Sequence, residues 1–300
     1  YIDTAVLAPV IAGKFILNSG SISKTELWVA LNTGSFTHAL RFVNGLLFLG
    51  ALFFIAWYFL KRRVPRGLAL KFAFLLVLLF GNSLVVMLAH TAKVWVLYMI
   101  FEIIAGSLVI AQEYYLRNRK ELFISKYRYV EILLWIVVLS FFQTFVGVAS
   151  AGLWLLWALF LRHISFWDIW QYVKKWWHLF ILAGFTQVSF IQRAFFVRSH
   201  GSILDLQNAS GQIPLDWPHR FLSPLRDAIL SQPFILLLPI FIVLAFVFAV
   251  PKRQILVAIL HPIIIFLIFY VLLGLDAAPR YGVILALACS FSLVMLLPEG

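Results

Sequence analysis

The chain has 300 residues, of which 63% are hydrophobic and 12% charged, and its formal net charge is +12. A water-soluble domain of this length needs more polar surface, so the composition excludes one and predicts a polytopic membrane protein. The Lys and Arg residues stand at the ends of apolar runs and not in a stripe with loop aromatics, which argues against nucleic-acid binding. The single cysteine, Cys289, lies in an apolar run and excludes an intrachain disulfide framework.

The opening segment, residues 1–41, is the only long stretch before the first apolar run. Residues 4–17 are predicted to form a helix, and Asp3 just ahead of them either caps that helix or belongs to a functional site. The sequence starts at a tyrosine, and nothing before Asp3 resembles a signal or an anchor. We therefore expect a preceding helix in a longer protein.

Nine apolar runs follow, and they predict an all-α fold: a polytopic transmembrane helix bundle that forms one domain over residues 1–300. The predicted spans are 40–60, 68–89, 94–116, 129–145, 147–161, 177–192, 233–250, 254–273 and 281–297. Basic residues cluster after the first, third, fifth and seventh spans, at 61–71, 117–128, 162–175 and 252–253. Such clusters mark cytoplasmic loops, so all four fall on one side of the membrane and segment 1–41 falls on the other.

Four further segments refine this topology. Small residues interrupt the run 129–161, and basic clusters on both sides of it require an even number of crossings, so we predict a hairpin of two short helices. Residues 163–177 place three of their tryptophans near one helical face beside lysines, which is typical of a helix in the cytoplasmic interface. Residues 192–232 form a second long outer segment, and loops of that length usually carry function. At His261 and Pro262 we expect a kink satisfied by a local hydrogen bond.

Candidate functional residues come from the polar side chains near the predicted outer face, because no phosphate-binding loop, zinc-ligand spacing or nucleophile elbow occurs. Asp3, Lys93 and Arg280 have the charges that a group transfer involving an anionic substrate requires. Lys93 and Arg280 have an alternative interpretation as interfacial anchors. Glu102, inside a predicted span, is either a relay or cavity residue or a hydrogen-bonded structural residue.

The first outer segment resembles that of the GT-C superfamily, polytopic glycosyltransferases that use polyprenyl-phosphate-linked sugars at the outer or luminal face. In that family an acidic residue is followed by a small-residue helix that ends in Gly, an amphipathic piece, a second Gly and an Arg leading into the next span. Here Asp3, Gly20, Gly34 and Arg41 stand in that order, with an amphipathic piece at 27–31.

Two later stretches resemble the same superfamily. After the next span the family often has a basic residue two positions before an aromatic, and this chain has Lys93 and Trp95, with His90 just ahead. Near its far end the family commonly has Arg-Tyr at the outer start of a helix, which Arg280 and Tyr281 match. The resemblance covers the layout of the whole chain, including outer juxtamembrane helices.

The resemblance implies transfer of a sugar from a polyprenyl-phosphate donor to an acceptor on the outer face, in a layout like that of protein mannosyltransferases and aminoarabinose transferases. Asp3 would act as general base toward the acceptor, or as a ligand of a divalent metal, Mg or Mn. Three basic residues would hold the donor phosphate and three further residues would support them: His90, Lys93 and Arg280, then Arg41, Glu102 and Tyr281.

Two other functional classes stay open. Many GT-C members carry two adjacent acidic residues in the first loop, whereas Thr4 follows Asp3, which leaves open a non-catalytic structural or accessory membrane subunit. A lipid or solute transporter would predict inverted repeats with broken helices, and the sequence shows no convincing repeat. We expect as partners the lipid donor, bilayer lipids and the subunits of a membrane complex, but no nucleic acid. The expected location is the bacterial cytoplasmic (inner) membrane, crossed several times, with the active face outward.

Overall fold

Helices make up most of the described part of the chain, and no strand occurs in it. The computed structural model describes residues 2–18, 21–61, 64–82, 85, 95–119, 121–141, 145–186, 225–226, 229–230, 233–268 and 279–298. The α-helices in these residues are α1 (Ile2–Leu17), α2 (Ile22–Leu31), α3 (Thr33–Lys61), α4 (Arg66–Phe80), α5 (Trp95–Asn118), α6 (Lys126–Phe141), α7 (Phe145–Phe160), α8 (Phe166–Thr186), α9 (Leu238–Val247), α10 (Lys252–Phe266) and α11 (Pro279–Leu296). A 3₁₀-helix, Pro233–Leu237, leads into α9. The predicted all-α class is confirmed for these residues.

The first outer segment forms two helices, α1 and α2, which contact each other and α3. The side-chain amide of Asn18, just after α1, donates a hydrogen bond to Thr25 Oγ1 on α2 (3.2 Å). The Lys14 ammonium lies 5.3 Å from the centroid of the Trp28 ring, which adds a second link between the two helices. Asp3 is the second residue of α1 and so lies inside its first turn. The interpretation of Asp3 as the cap that precedes this helix is therefore wrong.

Helices α5 and α7 are parallel and in contact. Helix α6, which lies between them in the sequence, runs in the opposite direction. Trp154 on α7 donates a hydrogen bond to Glu102 on α5. Further along both helices, His163 just after α7 bonds to Glu113 near the end of α5 (2.7 Å). The same histidine contacts the hydroxyl of Tyr129 in the first turn of α6 (3.1 Å). The run 129–161 is therefore the predicted hairpin of two short helices, α6 and α7.

Helix α4 is antiparallel to α5, and α3 is parallel to it. Gly67 in the first turn of α4 lies against Tyr114 near the end of α5, while Leu79 and Ile103 at the other ends of the same two helices line one groove. Near the end of α3, the ring centroid of Tyr58 lies 5.7 Å from that of a phenylalanine between α5 and α6. Chain direction thus alternates from α3 to α7, which brings the first three basic clusters to one end of the bundle.

Helix α11 lies at the centre of the packing. It contacts α4, α5, α9 and α10, and every residue from 283 to 296 is buried, including the free thiol of Cys289. Its sequence is apolar or small on all sides, which is typical of a helix surrounded by others. The side-chain amide of Gln254, at the start of α10, donates to the carbonyl of Met295 near the end of α11 (2.5 Å), so these two helices are antiparallel.

Two of the described helices contain stretches long and apolar enough to cross a bilayer, His38–Tyr58 and Val96–Asn118. Helix α4 ends at Phe80, before the end of predicted span 68–89, because Gly81 terminates it. Helices α6 and α7 have 16 residues each, or about 24 Å of helix against a hydrocarbon core of about 30 Å. The described lengths therefore do not confirm nine spans.

Several predicted segments extend beyond the described residues. These are 83–84 and 86–89 of the second span, 94 of the third, 142–144 of the fourth, 187–192 of the sixth, 269–273 of the eighth, and most of the outer segment 192–232.

Helix α8 starts with a capping box and bends in its middle. The backbone N–H of Ser165 donates to Asp168 Oδ2 (2.7 Å), and the Asp168 N–H donates in return to Ser165 Oγ (3.4 Å). At Trp176 the backbone leaves the helical region, with φ −119° and ψ 22°, so the helix is kinked there. The kink falls where the predicted interfacial helix 163–177 gives way to the predicted span.

Candidate functional site

A buried carboxylate lies in the second turn of α5. Glu102 is 3% exposed, and its Oε2 accepts a hydrogen bond from the indole N–H of Trp154 (2.5 Å). The hydroxyl of Tyr98, one turn earlier on α5, also hydrogen-bonds to this carboxylate. A carboxylate inside an apolar bundle is costly unless it has such partners. Glu102 is therefore held in place from both its own helix and α7.

His261 on α10 packs on the same tryptophan. The ring centroids of His261 and Trp154 are 4.5 Å apart, and the indole N–H of Trp157 donates to His261 Nδ1 (2.9 Å). Because an indole nitrogen can only donate, Nδ1 is the acceptor and the neutral ring carries its proton on Nε2. The imidazole of His261 is thus held from another helix, α7, and Pro262 beside it lies inside α10.

Helix α11 completes this arrangement through Phe291, whose ring meets that of Trp154 edge to face at 5.2 Å and 78°. Phe291 also lies against Gly106, where an added Cβ would come within 2.5 Å of a ring atom. A glycine is required there because the ring occupies the space of a side chain. Four helices, α5, α7, α10 and α11, thus meet in what we call the polar-aromatic layer: Glu102, Trp154, Trp157, His261 and Phe291.

A second buried chain of polar groups lies at the end of the bundle that carries the basic clusters. Glu113 Oε2 is 2.7 Å from His163 Nε2, and His163 Nδ1 is 3.1 Å from the Tyr129 hydroxyl. If the phenol donates to Nδ1 and Nε2–H donates to the carboxylate, every polar atom of the imidazole and the phenol is satisfied. His163 and Tyr129 are buried, so this chain fixes the end of α7 to α5 and α6 and does not face a substrate.

The structure describes the side chains of two predicted site residues, Glu102 and Arg41. Glu102 has the hydrogen-bonded setting that was one of its two interpretations. Arg41 is exposed on α3. The other five predicted residues have no described side chain: Asp3 in α1, Arg280 and Tyr281 in α11, and His90 and Lys93, which lie outside the described residues. Their grouping around one cavity stays a prediction.

Sequence reasoning missed the partners of Glu102. Trp154 and Trp157 lie three positions apart, which places them on one face of α7. Indole groups buried in an apolar helix usually need a hydrogen-bond acceptor. Glu102 in one predicted span and His261 in another were the available acceptors. The need of buried indoles for an acceptor could therefore have suggested the bonds of both tryptophans.

No three His, Cys, Asp or Glu side chains lie together as a metal site in the described ranges, to which the Asp3 carboxylate does not belong.

Comparison with known proteins yields no match: no protein-family model, no curated protein and no solved structure is similar to this chain.

Proposed function

We propose that this chain is a multi-pass membrane glycosyltransferase that transfers a sugar from a polyprenyl-phosphate donor to an acceptor at the outer face. The observation that carries the proposal is the unit formed by α1 and α2, two short helices folded against α3 ahead of a bundle whose helices alternate in direction. This is the order of elements that the first outer loop and following spans of the GT-C superfamily would require.

Exposed apolar surface supports the placement in a membrane. Helix α3 exposes large apolar side chains along its length: Phe42, Leu46, Leu49, Phe53, Phe54 and Trp57. Contiguous apolar surface of this kind needs a lipid or protein partner. Basic residues gathered at one end of the bundle favour the cytoplasm on that side, and we infer a location in the bacterial inner membrane with α1 and α2 on the opposite face.

The packing of α5 against α11 supports a shared position for two predicted phosphate-binding residues. Lys93 lies two residues before α5, and Arg280 is the second residue of α11. Gly106 lies thirteen residues after Lys93, and Phe291 lies eleven residues after Arg280. Gly106 and Phe291 are in contact. In the proposed topology both helices run inward, so the outer ends of α5 and α11 lie at nearly one level. Glu102 would then be a positioning residue, which fixes α5 below that level.

The proposed step is a direct displacement at the anomeric carbon. The acceptor oxygen attacks that carbon and forms the new glycosidic bond while its proton passes to the Asp3 carboxylate. The bond between the anomeric carbon and the phosphate oxygen breaks, and polyprenyl phosphate leaves with the electron pair. Lys93, His90 and Arg280 stabilise the negative charge that develops on the phosphate.

The variant Asp3→Asn tests the proton transfer. It should keep its melting temperature and lipid binding but lose sugar transfer by a factor on the order of 10²–10⁴, the usual contribution of a positioned base. Transfer is followed from radiolabelled polyprenyl-phosphate sugars to a membrane extract, with and without Mg²⁺ or Mn²⁺. Asp168→Asn, on the cytoplasmic side, is the matched control. Equal transfer by Asp3→Asn and wild type would remove Asp3 from the mechanism; no transfer by the wild type with any donor would favour an accessory subunit.

The variants Lys93→Ala and Arg280→Ala test the phosphate site. Each should weaken binding of a polyprenyl phosphate, since a hydrogen bond to a charged group is worth about 1.5–3 kcal/mol. Affinity is measured by titration in detergent, with Lys174→Ala as a control on the opposite side. Unchanged affinity in both variants would assign them to anchoring in the interface.

A further inference from the structure

A groove of about 430 Å³ lies between α3, α5 and α6, near the end of the bundle that carries the basic clusters. Its walls are mostly apolar, from Phe54 and Ile55 on α3 to Ile104 and Leu108 on α5 and Ile132 on α6. The volume lies within the range of about 300–1,000 Å³ that small-molecule sites occupy. In the proposed topology the groove faces the cytoplasmic half of the bilayer, so its apolar part would lie at the depth of lipid acyl chains.

Three side chains with polar atoms line this groove: Tyr58, Ser107 and Arg128. The backbone N–H of Ile124, in the connection between α5 and α6, donates a hydrogen bond to the side-chain oxygen of Gln112 on α5. Because α5 and α6 are antiparallel, Arg128 on α6 then lies beside Leu108 and Ser107 on α5. Ser107 is buried, yet its hydroxyl has no hydrogen-bond partner among the described residues. A buried hydroxyl without a partner is uncommon in native structures.

Among the buried serines of the described residues, Ser150 on α7 likewise has no hydrogen-bond partner, but it does not line the groove. Ser140, Ser290 and Ser292 are also buried, and each donates its hydroxyl to the carbonyl four residues earlier on its own helix (2.7, 2.8 and 3.0 Å). Ser107 makes no such bond in the described structure. Its hydroxyl therefore lies beside the groove without a hydrogen-bond partner among the described residues.

The charge of the groove favours an anion. Lys126, two residues before Arg128 on α6, forms an ion pair with Asp168 (2.7 Å). Arg128 is exposed, and within the described ranges no carboxylate lies at ion-pair distance from it. An unneutralised guanidinium at the rim of an apolar groove is complementary to a molecule with an acyl chain and an anionic group.

We propose that this groove binds one anionic phospholipid of the bilayer, with an acyl chain over Ile104 and Ile132 and its phosphate at Arg128. The inference rests on the membrane placement proposed above but not on glycosyl transfer. An alkaline carbonate wash, which leaves integral membrane proteins in the bilayer, tests that placement separately.

The experiment counts lipids retained by the purified full chain. Protein in detergent is titrated with an equimolar mixture of phosphatidylglycerol and phosphatidylcholine that have the same acyl chains, and bound lipid is measured by native mass spectrometry. Wild type should prefer the anionic lipid about fivefold, the effect of one basic residue near a membrane surface. Arg128→Gln should bind both lipids equally.

Two controls separate this site from general attraction. Arg119→Gln removes the same charge from the same cluster, but Arg119 lies over the Tyr115 ring (5.9 Å) and does not line the groove, so the preference should persist. Ile104→Trp fills the groove and should reduce retention of both lipids. Should it fail to fold, Phe54→Ala, which removes an exposed part of the wall, should have the same effect.

Equal binding of the two lipids by the wild type would overturn the proposal. So would a loss of preference in Arg119→Gln as large as that in Arg128→Gln, because the charge of the whole cluster would then account for it. Unchanged retention in both groove variants would likewise exclude the groove as the site.

Discussion

The contact between Gly106 and Phe291 makes a quantitative prediction about the centre of the bundle. In Gly106→Ala the new Cβ would lie 2.5, 2.7 and 2.8 Å from three ring atoms of Phe291, against about 3.5–4.0 Å for carbon atoms at optimal separation. The ring would have to retreat by about 1 Å. It is fully buried and packed on Trp154, so it has no free space to enter.

Overpacking of this kind costs about 1–3 kcal/mol, while replacing a helical glycine by alanine gains about 1 kcal/mol. Gly152→Ala on α7 is the matched control, because nothing lies within 4 Å of its added Cβ. Gly152→Ala should show only the gain in helix stability, whereas Gly106→Ala should show the same gain and the cost of overpacking. Gly106→Ala should therefore be less stable than Gly152→Ala by about 1–3 kcal/mol.

The assay is reversible unfolding in mixed micelles, performed on both alanine variants and on each combined with Phe291→Leu. The smaller side chain should remove the penalty of Gly106→Ala but leave the effect of Gly152→Ala unchanged, which a double-mutant cycle measures as a coupling energy. Equal stability of Gly106→Ala and Gly152→Ala, or no coupling between positions 106 and 291, would refute the close approach of α5 and α11.

Three further predictions concern other contacts. Trp154→Phe should lower the free energy of unfolding by about 1.5–3 kcal/mol because the carboxylate of Glu102 loses a buried hydrogen-bond donor. If Trp154→Phe lowers that free energy by the same amount in a Glu102→Gln background, the explanation is contradicted. Burial raises the pKa of Asp168, but hydrogen bonds from Lys126 and Ser165 outweigh it and lower the pKa below its ordinary 3.8. The wild type should therefore be more stable than Asp168→Asn at neutral pH, by at most about 1 kcal/mol. This difference in stability should disappear as the pH falls through the lowered pKa, which acid titrations of unfolding measure. Cysteines at positions 23 and 210 should both react with a membrane-impermeant reagent from outside, and labelling of one alone would contradict the nine-span topology.

Helix positions could be predicted from the sequence where an apolar run is bounded by charged or small residues. The span 94–116 corresponds to α5, and residues 4–17 lie within α1. The ends were less accurate where the local backbone decides them. Apolar residues continue past Gly81, so hydropathy alone extended the second span, whereas the helix itself ends at Phe80.

The candidate site was less predictable, because its contacts join residues far apart in the chain. Glu102 stood out as a charge in an apolar run and His261 as a polar residue beside a proline, but nothing in the sequence marks Trp154 as the residue that both contact. Their pairing depends on which faces of α5, α7 and α10 meet, and hydropathy does not specify that. Asp3, Lys93 and Arg280 were chosen from a resemblance, and their side chains are not among those described.

The position of α11 has a consequence for how the protein is made. This helix follows all of its neighbours in the sequence, so α4, α5, α9 and α10 are synthesised before it. Until α11 arrives, these helices and α7 expose the surfaces that it will cover, including the side of Trp154 on α7 that receives Phe291. The nascent bundle is then open at its centre, and partly assembled states of this kind are prone to mispairing and aggregation. Substitutions in α11 should consequently lower the yield of inserted protein more than equally buried substitutions in α6.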